Sequence, residues 1–252
     1  MKLEELVHFL EEYLDVGRFD DLSMNGLQVE GKENVERIAF AVSACGEVFR
    51  KGVSAGSDAL VVHHGLFWKG KNPEVVAGIM KDRLKTLLDG ECSLLAYHLP
   101  LDAHPEAGNN AAAARELGLQ ELKPFAEYRG VPIGVWGVLD GPIERNSFIE
   151  RVEEYYSHAA LVIPGGSEKI ERVGIVSGGA PEEVKAAVEL GLDAFITGES
   201  SEPITYYCRE AGINFLAMGH YATERVGVRA LSGILKERFG VETRFIEVEN
   251  EA

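Results

Sequence analysis

The chain is poor in cysteine: Cys45, Cys92 and Cys208 are all it has in 252 residues, odd in number, widely spaced and with no Cys-x-x-Cys pair. That usage excludes a disulfide framework and a thiolate zinc site as organising features. Positive charge is scarce as well, with 25 Lys and Arg against 41 Asp and Glu and a formal net charge of -16. Affinity for a phosphate backbone comes largely from Lys and Arg, so nucleic acid is not an expected partner. The same balance favours a bound cation, and an anionic substrate would need a metal to help hold it. Long apolar runs are missing too; none approaches the ~20 residues of a spanning helix. The opening MKLEELVHFLEEYL is a charged amphipathic pattern without the basic start and apolar centre of a signal peptide. A cytoplasmic protein without membrane contact is expected.

What is present is ample apolar content, 46% of the residues. It suffices for one large core or two ordinary domains, at roughly 100 to 200 residues per domain. Leu3, Leu6, Val7, Leu10 and Leu14 recur at helical spacing, with His8 beside that stripe and read as a surface residue. β-rich runs then alternate with helical patterns. RIAFAVS (37–43), DALVVHH (58–64) and CSLLAYH (92–98) read as strands, with helices around 46–55 and 74–89. A second series follows in VPIGVWGVLD (131–140), ERVGIVS (171–177), DAFITGE (193–199) and INFLAMG (213–219). Near-continuous apolar strands alternating with helices predict an α/β fold whose sheets are covered on both faces. The boundary between the series is expected around LKPFAEYRGVP (122–132), dividing the chain into 1–125 and 126–252.

The two series resemble each other. RIAFAVSACGEV parallels RVGIVSGGAPEEV, DALVVHHG parallels DAFITGES, and LLAYHLPLD parallels FLAMGHYATE with one residue added. Three matches in one order argue for a duplicated α/β unit. In that register His63 and His64 correspond to Gly198 and Glu199. Both halves also carry His-x-x-x-carboxylate, as His98 with Asp102 and His220 with Glu224.

On a helix, His220 and Glu224 lie one above the other on one face, so they can grip one ion. Alone, such a pair reads as helix surface. Here it starts just beyond a strand's carboxyl end, where open α/β sheets bind ligands. Asp102 follows another strand, in YHLPLDAH, where Pro100 favours a turn. His63 and His64 can act together only if their strand ends there, because successive side chains point to opposite faces. His63, His64, Asp102, His220 and Glu224 thus form a set of three imidazoles and two carboxylates. They suit Zn, Fe, Mn or Ni better than Mg or Ca. Five ligands exceed one catalytic zinc site, so a two-metal site with Glu224 or Asp102 bridging is the natural form. His98 is open between ligand, support for a ligand, and proton carrier. His98 and Glu199 are the candidate proton carriers. His104 reads as a loop residue, Cys45 as a small buried residue, and the glycine turn VSGGAPEEV as structural rather than an anion site.

NGLQVEG (25–31), VVHHGLFWKG (61–70), YHLPLDAH (97–104), ITGE (196–199) and GHYATE (219–224) together resemble the Nif-three-like family, often labelled GTP cyclohydrolase 1 type 2 homologues. The resemblance runs over nearly the whole chain, and AVSAC (41–45) stands where relatives often carry an Asp-containing stretch. It implies two intertwined, duplicated α/β repeats with a metal site in the cleft between them. It implies two divalent metal ions on the same five residues, with Glu224 at the bridging position, and a ring-shaped homohexamer. The implied function is a dinuclear metal-dependent hydrolase acting on a small molecule, such as ring-opening hydrolysis of a purine nucleotide like GTP. The alternative is a non-catalytic metal-binding scaffold or metal-delivery protein acting through protein partners.

Overall fold

The computed structural model describes residues 1–70, 75–248 and 250. In chain order, helix α1 (Leu3–Tyr13) leads to β1 (Gly26–Val29), β2 (Arg37–Ser43), α2 (Gly46–Ser54), β3 (Ala59–His64), α3 (Gly78–Asp89), β4 (Ser93–Ala96) and α4 (Leu99–Ala103). There follow α5 (Asn109–Glu116), β5 (Gln120–Tyr128), β6 (Val131–Glu144), α6 (Arg145–Tyr156), β7 (Leu161–Pro164), β8 (Lys169–Ile175) and α7 (Val184–Glu189). The series closes with β9 (Ala194–Thr197), α8 (Glu202–Ala211), β10 (Asn214–Ala217), α9 (His220–Phe239) and β11 (Glu242–Phe245). The first residue expected for the 74–89 helix lies outside the described residues. Among the described residues no helix is long and apolar enough to cross a membrane.

By compactness the described residues form two units, Met1–Leu101 with the stretch that starts at Val228, and Asp102–Gly227. Compactness and sequence repetition cut the chain differently, because the later part of α9 and β11 belong with the first hundred residues. Unit 1 holds a five-stranded sheet in the order β1-β4-β3-β2-β11, parallel except for β1. Its core gathers Phe49, Leu60, Val62, Leu87, Leu94 and neighbours from both sheet and helices. Burying each such side chain stabilises by about 1.5 to 3 kcal/mol. The apolar stripe of α1 is buried as its spacing requires, through Leu3, Leu6 and Leu10, while His8 pairs with Glu12 at 3.3 Å on the surface.

Unit 2 holds a six-stranded sheet in the order β5-β6-β8-β9-β10-β7. Only β8, β9 and β10 are parallel; β5, β6 and β7 pair antiparallel with their neighbours. The stretch 122–132, expected as a boundary, lies inside this unit as the β5–β6 hairpin, which turns at Arg129 and Gly130, both at positive φ. Pro124 fits there because β5 is an edge strand. Its core includes Phe148, Val152, Ile175, Ile196 and Leu216.

The duplication read from the sequence is present in the topology of each unit. Three consecutive parallel strands, β2-β3-β4 and β8-β9-β10, each end on an antiparallel edge strand, β1 and β7. The hydrogen bonds repeat as well: Asp58 N–H donates to Arg37 O and Ser93 N–H to Asp58 O, as Asp193 N–H does to Arg172 O and Asn214 N–H to Asp193 O.

Candidate metal centre

In both units the chemistry-bearing residues stand at the carboxyl ends of the three parallel strands, where open α/β sheets bind ligands. In unit 1 these are Ser43 at the end of β2, His63 and His64 closing β3, and His98 two residues beyond β4. His63 is fully buried, while His64 and His98 are half-buried. β3 does end at the histidines, and their rings lie close despite the alternation, with centroids 4.7 Å apart and planes at 52°. The His98 ring is 5.0 Å from that of His63 and 5.6 Å from that of His64. One ligand atom from each of the three rings lies within 4.8 Å of the other two.

Each of these rings is fixed through Nδ1. His63 Nδ1 is 3.0 Å from the Tyr97 carbonyl oxygen, and His64 Nδ1 is 3.0 Å from Ser43 Oγ. His98 Nδ1 is 3.0 and 3.2 Å from the two carboxylate oxygens of Asp21. The nitrogen that can serve a cation is therefore Nε2 in all three. Metal-binding imidazoles are characteristically oriented in this way, the other ring nitrogen bonded to a carboxylate, carbonyl or water. His104 has the opposite polarity: its Nδ1 accepts from the N–H groups of Glu106 and Ala107, as befits a residue shaping a turn.

The turn after the double histidine is clamped by a side chain from β1. Gln28 Oε1 accepts from Leu66 and Phe67 N–H at 2.7 and 3.2 Å, and Gln28 Nε2 donates to Met24 O at 2.8 Å. A Cβ at Gly65 would meet that amide at 2.4 Å and Ala96 Cβ at 2.6 Å, so glycine is required by close approach. Asp21, buried in the loop before β1, accepts from Ser23 N–H, Asn25 Nδ2 and Leu99 N–H as well as His98. Burial pushes its carboxyl up, but the hydrogen bond and charge of His98, with Asn25 and Ser23, outweigh it and hold the pKa at about 2.

Unit 2 contributes Asp102, Ser177, Glu199, His220 and Glu224. Asp102, buried in α4, accepts from Asn109 Nδ2 and Ser177 Oγ, both at 2.8 Å. A carboxylate oxygen of Asp102 lies within 4.8 Å of one of Glu224, which is also buried. His220 opens α9, and its Nε2 is 3.1 Å from Glu224 Oε1, four residues along the same helix face. Its Nδ1 is 2.5 Å from Glu199 Oε1. Burial lowers the His220 pKa, but Glu224 and then Glu199, by hydrogen bond and charge, more than reverse this and push it up to about 9. A cation entering here must displace that proton.

The glycine turn after β8 lies against this pair. Gly178 has φ +69°, and a Cβ there would sit 2.2 Å from Glu224 Oε1 and 3.2 Å from His220 Nε2. Its N–H donates to Thr223 Oγ1 at 3.0 Å. The VSGG stretch thus serves close approach to His220 and Glu224, which its sequence did not announce. Cys45, expected to be buried, is half-buried just ahead of α2. Sequence reasoning missed Ser43, Asp21, Asn25, Gln28 and Ser177; the NGLQVEG motif contains two of them.

A family model described as Duf34/NIF3 (NGG1p interacting factor 3) matches residues 1–252. The chain is 43% identical over 251 residues to a protein of Allochromatium vinosum named GTP cyclohydrolase 1 type 2 homolog, with 99% of this chain and 97% of that one covered. An Escherichia coli K12 protein of the same name is 41% identical over 253 residues, covering both chains fully. Among solved structures, the crystal structure of TTHA1606 from Thermus thermophilus shares 38% identity and a TM-score of 0.88 over the whole of both chains. A structure described as protein ybgI, of unknown function, reaches 42% and 0.94, again over both whole chains. Matched from end to end in sequence and in fold, the chain belongs to the Duf34/NIF3 family.

Proposed function

We propose that the protein is a dinuclear metal-dependent hydrolase, with His63, His64, Asp102, His220 and Glu224 holding two divalent ions of the Zn, Fe, Mn or Ni type. The observation that carries this reading is the common orientation of the imidazoles. His63 and His64 close β3 and His220 opens α9 just beyond β10, with Nδ1 held by a carbonyl, a hydroxyl and a carboxylate respectively. The buried carboxylates of Asp102 and Glu224 add the oxygen donors that a borderline metal accepts. When bound, two such ions supply Lewis acidity and a water acidified towards neutral pH as nucleophile.

The chain's own residues orient that chemistry. Glu199 holds Nδ1 of His220 and turns Nε2 towards Glu224, so its role is to position a ligand. Asn109 and Ser177 hold one oxygen of Asp102 and fix its carboxylate plane. On the cyclohydrolase reading the substrate is a purine nucleotide such as GTP, attacked at C8 of the guanine ring, and the relatives' shared name supports that class. A cytoplasmic ring hexamer belongs to the same proposal, and light scattering measures its size.

Elemental analysis of protein loaded with each metal should give two ions per chain, and incubation with GTP should give metal-dependent ring opening. Glu224→Gln should lower the stoichiometry and abolish turnover together; a variant that keeps two ions and full turnover overturns the assignment. Two stably bound ions with no turnover of GTP, phosphoesters or cyclic amides would instead support a metal-binding scaffold.

A further inference from the structure

The NGLQVEG stretch opens on the chain's one Asn-Gly step, Asn25–Gly26. The surroundings dictate both residues. Asn25 Nδ2 donates to Asp21 Oδ2 at 3.0 Å, and Asn25 Oδ1 accepts from His98 N–H at 2.8 Å. An ionised aspartate could make only the second of these bonds, and it would set its charge against that of Asp21. Gly26 pairs with Ala96 at the start of β1 with φ +103°, and a Cβ there would meet Glu11 Oε1 at 2.8 Å, so a side chain at 26 is strained. The fold therefore places side by side two residues whose junction is chemically fragile, because a glycine leaves its nitrogen open to attack the preceding side-chain amide. Leu22 and Met24 are exposed, so hydrogen bonds more than apolar burial hold this segment, and its local opening costs less than unfolding.

We infer that Asn25–Gly26 is a latent self-modification site, in which the bonds to Asp21 and His98 restrain the Asn25 amide and local opening of the segment before β1 releases it to deamidate. In that step the Gly26 nitrogen loses its proton to solvent and bonds to Asn25 Cγ, while Nδ2 leaves as ammonia and a cyclic imide closes. Water opens the imide at either carbonyl, leaving aspartate or isoaspartate at 25, with water consumed and ammonia released in equal number. Closure removes the Nδ2 donor and draws Cγ onto the following nitrogen, so neither native bond survives it. The product cannot re-form the latch. Its carboxylate offers Asp21 Oδ2 no donor and repels it, and isoaspartate also lengthens the backbone just ahead of the Gly26–Ala96 and Leu27–Leu95 pairing. The same segment carries Gln28, whose amide oxygen holds Leu66 and Phe67 N–H, so the change loosens that turn as well.

Peptide mass spectrometry of the full chain, incubated at mildly alkaline pH, tests it by following the amide-to-acid conversion at Asn25. Conversion in the native chain should be at least about tenfold slower than in the urea-unfolded chain, and Asp21→Ala should speed the native rate by about tenfold, as loss of a bond to a charged group implies. Asp193→Ala, a destabilised variant remote from this segment, should leave the native rate unchanged, and circular dichroism checks that each variant is folded. Asn25→Asp, the direct product, should speed hydrogen exchange over 22–29 by about tenfold. Equal rates in the native and unfolded chains, or an Asp21→Ala rate no faster than that of the unaltered chain, overturn the latch. Equal acceleration by Asp193→Ala also overturns it, since protection would then come from the global fold. Unchanged exchange in Asn25→Asp overturns the loosening.

Discussion

Asp58 and Asp193 make the same pair of bonds in the two units. Oδ2 of Asp58 accepts from Glu36 and Arg37 N–H at 3.0 Å each, and Oδ2 of Asp193 accepts from Glu171 and Arg172 N–H at 3.0 and 2.8 Å. Each carboxylate closes the start of the first parallel strand onto the second. Removing either leaves two backbone donors short of a partner, so Asp58→Ala and Asp193→Ala should each cost about 2 to 3 kcal/mol. Urea unfolding followed by circular dichroism measures this, and a loss below about 0.5 kcal/mol at both positions would deny the motif a structural role.

The Asp58 bond also carries a pH signature. Burial pushes its carboxyl up, but the N–H groups of Glu36 and Arg37 and the Lys32 ammonium outweigh that and lower the pKa. A carboxylate with a depressed folded-state pKa contributes stability above its unfolded value, about 3.9, and loses it as pH falls through the folded value. The stability gap between wild type and Asp58→Asn should therefore be widest near neutral pH and shrink on acidification. An equal gap at pH 7 and pH 3 would mean that ionisation contributes nothing.

Glu199 separates a positioning role from proton carriage. If it orients His220, Glu199→Ala should weaken metal binding about 10- to 100-fold, and Glu199→Gln, whose amide oxygen can still accept from Nδ1, should weaken it less. A pure proton carrier would leave metal affinity untouched in both variants. Calorimetric titration with Zn or Mn distinguishes the two.

Gly178→Ala should damage the site more than the fold. The new Cβ would meet Glu224 Oε1 at 2.2 Å from a backbone at φ +69°, a conformation costing about 1 kcal/mol for a residue with a side chain. Metal stoichiometry should fall while the melting temperature drops by only a few degrees. Gly65→Ala, wedged against Gln28 and Ala96, should instead lower stability by about 1 to 3 kcal/mol. Thermal melts with and without chelator read both.

The strands β2 and β3 match the apolar runs of the sequence within one residue, because strands buried on both faces are written as continuous Val, Ile, Leu, Phe and Ala. The candidate residues His63, His64, Asp102, His220 and Glu224 stand out in the sequence because they sit in dense motifs beside strand ends. Asp21, Asn25 and Ser177 were not, since a hydrogen-bond partner has no spacing rule of its own: Asp21 reaches His98 across 77 positions, and Ser177 reaches Asp102 across 75. Strand β5 was missed for another reason, although β6 was read as a strand over 131–140. Pro124, the charged residues around it and Gly130 carry the composition of a connector, and only pairing with β6 makes this stretch a strand.

Helix α9 carries His220 and Glu224 in its first two turns, within unit 2, and its later turns belong to unit 1, where Leu231 and Leu235 are buried and Phe239 meets Phe9 edge-on at 5.0 Å. After it, β11 adds the last parallel strand beside β2. During synthesis the whole of 102–227 therefore leaves the ribosome before unit 1 has its final helix turns and edge strand. Unit 1 is thus built from two stretches far apart in the chain, and its sheet gains its β11 edge only after the whole of 102–227 has been made.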